Sequence, residues 1–258
     1  MVERRNALAE FRAAGPRRKL VLVLLAALGV ALGWSATHLA FRGGPGASFD
    51  RAVESDPAFT AVRAMRDRLP EDYARLRAAM VAQAEAGRPI EEIGRSGFGW
   101  MRSFMIAEKP AMARAPSAEL AAFRRGQLGA TEALAADSAE QCARFSMGSL
   151  SPADPPSAQA LPAIQRAAAA QIEAIAAGRR TPSAPAPDLA PADAAALVEG
   201  MRRQGVAEPL LARFTGPTGM ATAGPAEQCQ VGRALLRALD ALPAEQADRI
   251  TRHMIARS

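Results

Sequence analysis

Hydrophobic and polar positions along this chain follow two regimes. Residues 20–41, LVLVLLAALGVALGWSATHLAF, are apolar throughout, uncharged, and interrupted only by Ser35, Thr37 and His38. A helix of that length reaches roughly 33 Å, about the hydrocarbon thickness of a bilayer, so the run predicts a single transmembrane helix. Beyond it, apolar residues recur every three to four positions, the period of a helix with one buried face. Phe59, Val62, Met65 and Leu69 mark one such stripe, Tyr73, Leu76 and Met80 a second, and Leu161, Ile164, Ala168, Ile172 and Ile175 another. Pro and Gly punctuate the stripes: Asp56-Pro57 reads as a helix start, Gly87-Arg88-Pro89 as a stop, and further helices are expected near 191–204, 206–214, 225–241 and 243–256.

This pattern divides the chain into a basic tail (1–19), the span (20–41), a Gly/Pro-rich flexible spacer (42–56), a helical subdomain (57–148), a Pro/Ser-rich linker (149–160) and a second helical subdomain (161–258). The expected fold is all-α, with one N-terminal transmembrane helix followed by a multi-helix domain. Composition agrees, because the chain is rich in Ala and only 5% aromatic, with a single Tyr, which disfavours sheet and suits helix packing.

Charge first suggests an anionic partner, since the formal net charge is +6. Most of that excess lies before the span, in Arg4, Arg5, Arg12, Arg17, Arg18 and Lys19. The remainder is nearly neutral, so it lacks the clustered basic charge of a nucleic-acid surface. Basic residues before the span and few after it place the N-terminus in the cytoplasm and residues 42–258 in the periplasm of a bacterial inner membrane. The competing interpretation is a cleaved signal peptide, but the apolar run is longer than an ordinary signal core. Gly29 and Gly33 form a GxxxG, the spacing through which two copies of a span would pair as a homodimer.

Candidate chemistry is sparse. His38 lies in the apolar run, and His253 on the last helix has no evident partner. Gly94-Arg95-Ser96-Gly97 lacks both the final glycine and the preceding strand of a nucleophile elbow. Two cysteines cannot build a four-ligand zinc site, and their spacing is not CxxC. No catalytic, cofactor or metal set emerges. The densest aromatic and Met content beyond the span is Phe98, Trp100, Met101, Phe104, Met105 and Met112. Ile93, Gly97, Trp100 and Phe104 fall on one helical face, which predicts a core helix; the alternative is an apolar groove, since Met side chains adapt to varied ligands.

Short strings also recur in order. Leu69-Pro70 matches Leu161-Pro162, Ala86-Gly87-Arg88 matches Ala177-Gly178-Arg179, Met101-Arg102 matches Met201-Arg202, and Ala139-Glu140-Gln141-Cys142 matches Ala226-Glu227-Gln228-Cys229. They suggest two pseudo-symmetric helical halves with Cys142 and Cys229 in equivalent places. In an oxidising periplasm that pair is expected to form a disulfide. The expectation for function is therefore a non-catalytic, membrane-anchored interaction or assembly module of the cell envelope, with an envelope protein as partner. The alternative is a periplasmic carrier or chaperone that holds apolar clients along residues 97–112.

Overall fold

In the computed structural model, residues 44–151, 155–181, 188–216, 219–220 and 222–257 are described. The transmembrane run and its Gly29/Gly33 motif lie outside them. Among the described residues no helix is long and apolar enough to cross a membrane. These residues form twelve α-helices and no strand. In chain order they are α1 (Gly44–Ser55), α2 (Thr60–Arg68), α3 (Pro70–Glu85), α4 (Ile90–Ala107), α5 (Lys109–Met112), α6 (Ser117–Asp137), α7 (Ala139–Ser146), α8 (Leu161–Arg180), α9 (Pro191–Arg203), α10 (Glu208–Thr215), α11 (Pro225–Ala241) and α12 (Ala244–Arg257).

Helix boundaries follow local chemistry. Pro occupies the first turn of α3, α5, α8, α9, α10 and α11, where its missing N–H removes no helical bond. Asp56 accepts the Ala58 N–H at 2.8 Å and caps the 3-10 turn Pro57–Phe59 that leads into α2. Ser138 caps α7 by accepting the Gln141 N–H. Gly87, at φ +70°, supplies the left-handed residue that ends α3.

Three of the sequence expectations need correction. The spacer over 42–56 is helical from Gly44 to Ser55. Gly and Pro content suggested flexibility there, but Phe49 and Val53 stand one turn apart and bind the helix down: Phe49 meets Phe59 and Tyr73, and Val53 is fully buried. The second correction concerns the boundary at 149–160. Helix α8 buries Ile172 and Ile175 in the first apolar core, with Met65, Leu76, Met112 and Leu120. The second core, built on Leu197, Met201, Leu211, Val231, Leu239 and Ile250, belongs to α9–α12. A Pro-rich loop thus marks a change of direction and not a change of core. The third is the repeat. Leu-Pro and Ala-Glu-Gln-Cys do fall at helix starts, but Met101-Arg102 is inside α4 where Met201-Arg202 is in the last turn of α9, and α3 packs on α4 while their counterparts α8 and α9 lie in different cores. Recurrent Pro and Glu encode helix beginnings, which many unrelated helices share.

Alanine and glycine set how closely the helices approach. Helix α6 runs through the middle of the bundle, touching α8 along one side and α11 and α12 along others. Gly126 of α6 lies against Ala167 and Ala170 of α8, and Gly200 of α9 against Ala238 of α11. The tightest contact is Gly178 of α8. A Cβ there would enter the Ala111 carbonyl oxygen and stand 2.8 Å from its carbon. Backbone cannot swing aside as a side chain can, so Gly178→Ala is expected to cost at least about 2 kcal/mol in urea unfolding. Gly94→Ala, whose added Cβ meets nothing within 4 Å, should be neutral or stabilising by up to ~1 kcal/mol. Equal midpoints for the two variants would contradict the α8–α5 contact.

Candidate functional site

Helix α4 differs from the rest of the bundle in how little of its apolar surface it buries. Its positions sort into adjacent stripes by helical spacing. Ile93, Gly97, Trp100 and Phe104 form the inward stripe, on which Phe104 is the one buried residue of α4. Gly97 sits against the Met80 sulfur of α3, and Ser96 Oγ accepts the Gln83 side-chain amide at 2.9 Å. The next stripe is Ile90, Gly94, Phe98, Met101 and Met105. Ile90 is 43% exposed, Phe98 39%, and the two Met residues are half-buried. Beyond it stand Arg95, Arg102 and Ile106, the last 51% exposed.

The exposed large apolar side chains of the described residues are Ile90, Phe98, Ile106 and Met147. Three are on α4. The fourth is beside it, because Arg102 donates to the carbonyl oxygen of Gly148, the neighbour of Met147, at 3.3 Å. Single exposed apolar residues are ordinary on any surface, but here they gather on one helix and its contacting turn.

Behind this surface, α3 and α4 enclose a cleft of about 350 Å³ lined by Asp72, Arg75, Trp100, Ser103, Phe104, Ala107 and Glu108. Trp100 and Phe104 stack at 5.5 Å, and the Arg179 guanidinium from the end of α8 lies 5.7 Å from the Phe104 ring. Arg179 donates to Asp72 at 2.6 Å and to Glu108 at 2.7 and 2.9 Å, while Arg75 also binds Asp72. Burial alone would push the Asp72 carboxyl up, but hydrogen bonds from Arg179 and Arg75 outweigh it and hold the group below the ordinary carboxylate range. Glu108 and Asp72, in turn, raise Arg179 further above its ordinary value. Asp72 is thus committed as an ionised carboxylate, which suits a clasp fastening α8 to α3 and α4 better than proton transfer. Sequence reading missed this cluster. Its members lie 71 and 107 positions apart, and no local signal links Arg179 to Glu108 or Asp72.

The structure separates the six residues of the expected groove. Phe104 and Met112 are core, Trp100, Met101 and Met105 pack partly against that core, and Phe98 is exposed. Those on α4 belong to a helix with one face packed and one partly open, and Trp100 and Phe104 line the cleft. On the open side Phe98 is joined by Ile90, Ile106 and Met147, which the sequence reading did not include.

The two cysteines meet. Cys142 of α7 and Cys229 of α11 have Sγ atoms 1.99 Å apart and Cα atoms 5.2 Å apart. They sit with Leu134 and Ala160 in a small third core between the two larger ones. Gly232 permits this approach, since a Cβ there would lie 2.6 Å from the Ser146 Cβ. Among the described residues no cluster of three or more His, Cys, Asp or Glu is placed to hold a metal ion. The chain matches no protein family, no curated protein and no solved structure.

Proposed function

We propose that this protein is a non-catalytic, membrane-anchored interaction module of the bacterial cell envelope. Residues 1–19 lie in the cytoplasm, residues 20–41 cross the inner membrane, and the helical domain stands in the periplasm with α4 as its contact surface. The observation that carries this reading is the gathering of Ile90, Phe98, Ile106 and Met147 on one helix and its adjoining turn. Helix α4 rests mainly on α3, and Ile90 and Phe98 of its second apolar stripe are left exposed while Met101 and Met105 pack partly on the first core. The joined cysteines support an oxidising compartment. A carrier of apolar clients is the second reading, favoured by the half-buried Met101 and Met105 beside Phe98.

The test is a photo-crosslinking amino acid placed at Phe98 and, for comparison, at the exposed Glu245 of α12, in intact cells. Adducts from position 98 and not from 245 are expected. A few discrete adducts fit an assembly module, and a broad spread of polypeptides fits the carrier. Equal labelling at both positions would overturn α4 as the contact surface. After the same cells are denatured, both cysteines should resist alkylation until reductant is added. Thiols that react only once the inner membrane is permeabilised would place the domain in the cytoplasm.

A further inference from the structure

The outward face of α4 has a charge pattern of its own. Glu91, Arg95, Phe98 and Arg102 are all exposed, and at 100° per residue they fall within about 60° of one another around the helix. Met101 and Met105 lie to one side, packed partly on the first core. Gly94 and Gly99 border the face, and at both of them nothing lies within 4 Å of the place a Cβ would take. Its edges are therefore low, and a second helix would meet Phe98 and the charged groups first.

Those charges are unpaired. Glu92 meets Arg88, but Glu91, Arg95 and Arg102 have no ion pair among the described residues, although Glu91 and Arg95 stand one helical turn apart. Arg102 donates instead to the carbonyl oxygen of Gly148. A uniformly anionic surface does not match this face, because Glu91 stands among the arginines. A second α4 does match it. In an antiparallel pair of copies whose twofold axis passes between Ser96 and Gly97, Glu91 lies level with Arg102 of the second copy, and Arg95 with its Phe98, since each couple straddles that midpoint equally. Every contact then occurs twice. A parallel pair would set Glu91 on Glu91 and each arginine on its own counterpart, so the charges favour the antiparallel arrangement alone.

We infer that α4 is an isologous contact between two copies of this chain, with Glu91–Arg102 ion pairs flanking a centre where each Phe98 ring meets Arg95 of the other copy. This names the partner of the surface proposed above and rests on that reading. Ile90 of each copy comes level with the segment of the other that bears Arg102 and Ile106, so the exposed apolar groups of the two ends share one contact. One helix face buries less than the roughly 1,600 Å² of a free-standing interface, so the pairing gains from confinement of both copies to one membrane by residues 20–41.

The experiment uses two forms of the full chain with different epitope tags, made together in cells, one of them bearing a photo-crosslinking amino acid at Gly94. An adduct carrying both tags is expected, with its attachment mapped near residue 99 of the second copy, which lies level with 94 in the antiparallel pair. Glu91→Arg in both forms, or Arg102→Glu in both, should lower that adduct at least about fivefold, because like charges then face each other twice. Glu91→Arg in one form with Arg102→Glu in the other should return it to within about twofold of the parent, since opposite charges again face at both couples. All these positions are exposed, and circular dichroism of each purified variant verifies that it is folded. A doubly tagged adduct that ignores the single reversals, one that maps near residue 94, or a loss that the mixed pair does not restore would each overturn the inference. Adducts from position 94 or 98 to other polypeptides, with none to the second copy, would overturn it while leaving α4 as the contact surface. No adduct from either position would overturn both.

Discussion

Replacing Cys142 or Cys229 by Ala is expected to lower stability by about 4 kcal/mol, or roughly 10 °C in thermal midpoint for a domain of this size. The two residues are separated by 87 positions, and the loop they close contains α8, α9 and α10. Closing so long a loop removes much of the conformational freedom of the unfolded chain, which is where a disulfide acts in the chain-entropy description. The bridge also has a structural role here. It ties α7 to α11 at the small core between the two main ones, so its loss weakens their connection as well as the chain closure. Both sulfurs are buried, at 0% and 5% residue exposure, so reductant alone should act slowly on the folded protein and quickly in urea. Urea unfolding with and without reductant, beside each single variant, measures the effect. Coincident curves would show that the bridge contributes nothing to stability.

Removing either member of the Arg124–Asp248 pair should be of similar severity, about 3–5 kcal/mol. Arg124 of α6 donates to Asp248 of α12 at 2.7 Å, and each side chain is only 7% exposed. Arg124 also reaches Thr251 Oγ1 at 3.2 Å, while that hydroxyl donates to the Ala247 carbonyl at 2.6 Å. Arg124→Ala would leave a buried carboxylate without its counter-ion, and Asp248→Ala a buried guanidinium. Each carries a desolvation cost that nothing nearby offsets. The double replacement Arg124→Met with Asp248→Leu removes both charges and should return most of the stability, within about 1 kcal/mol of the parent. By contrast, Glu140→Ala, which breaks the exposed α7 pair to Arg144, should cost no more than ~0.5 kcal/mol. A double replacement as damaging as the singles would show that the pair is needed for packing geometry and not only for charge balance.

Much of the secondary structure was legible because its causes are local. Pro at the first helical turn and Gly87 after the last one place the ends of α3, and Ser138 places the start of α7. The expected helices near 191–204 and 225–241 are Pro191–Arg203 and Pro225–Ala241 in the structure. The cysteine pair was also within reach, as the two cysteines of a chain whose domain is expected in an oxidising compartment. The helical start at Gly44 was missed because flexibility was inferred from Gly and Pro, although Phe49 and Val53 already carried the helical period. The Asp72–Arg179–Glu108 clasp could not have been found, since each member alone is an ordinary surface-type residue.

The sequence by itself determined that the described chain is helical, where most helices begin and end, and which faces are apolar. These depend on residue propensity and on neighbours three or four positions away, within reach of one helix. Only the tertiary structure decided which apolar faces are covered. Helix α8 joined the first core and not the second because Gly126 and Gly178 let it approach α6 and α5 more closely than larger residues would allow. Helix α4 kept an open stripe because α3 covers one side of it and no other helix of the described chain packs against the side bearing Ile90 and Phe98. A hydrophobic period states that a face can be buried, but the burial depends on a partner that arrives from far along the chain or from outside it.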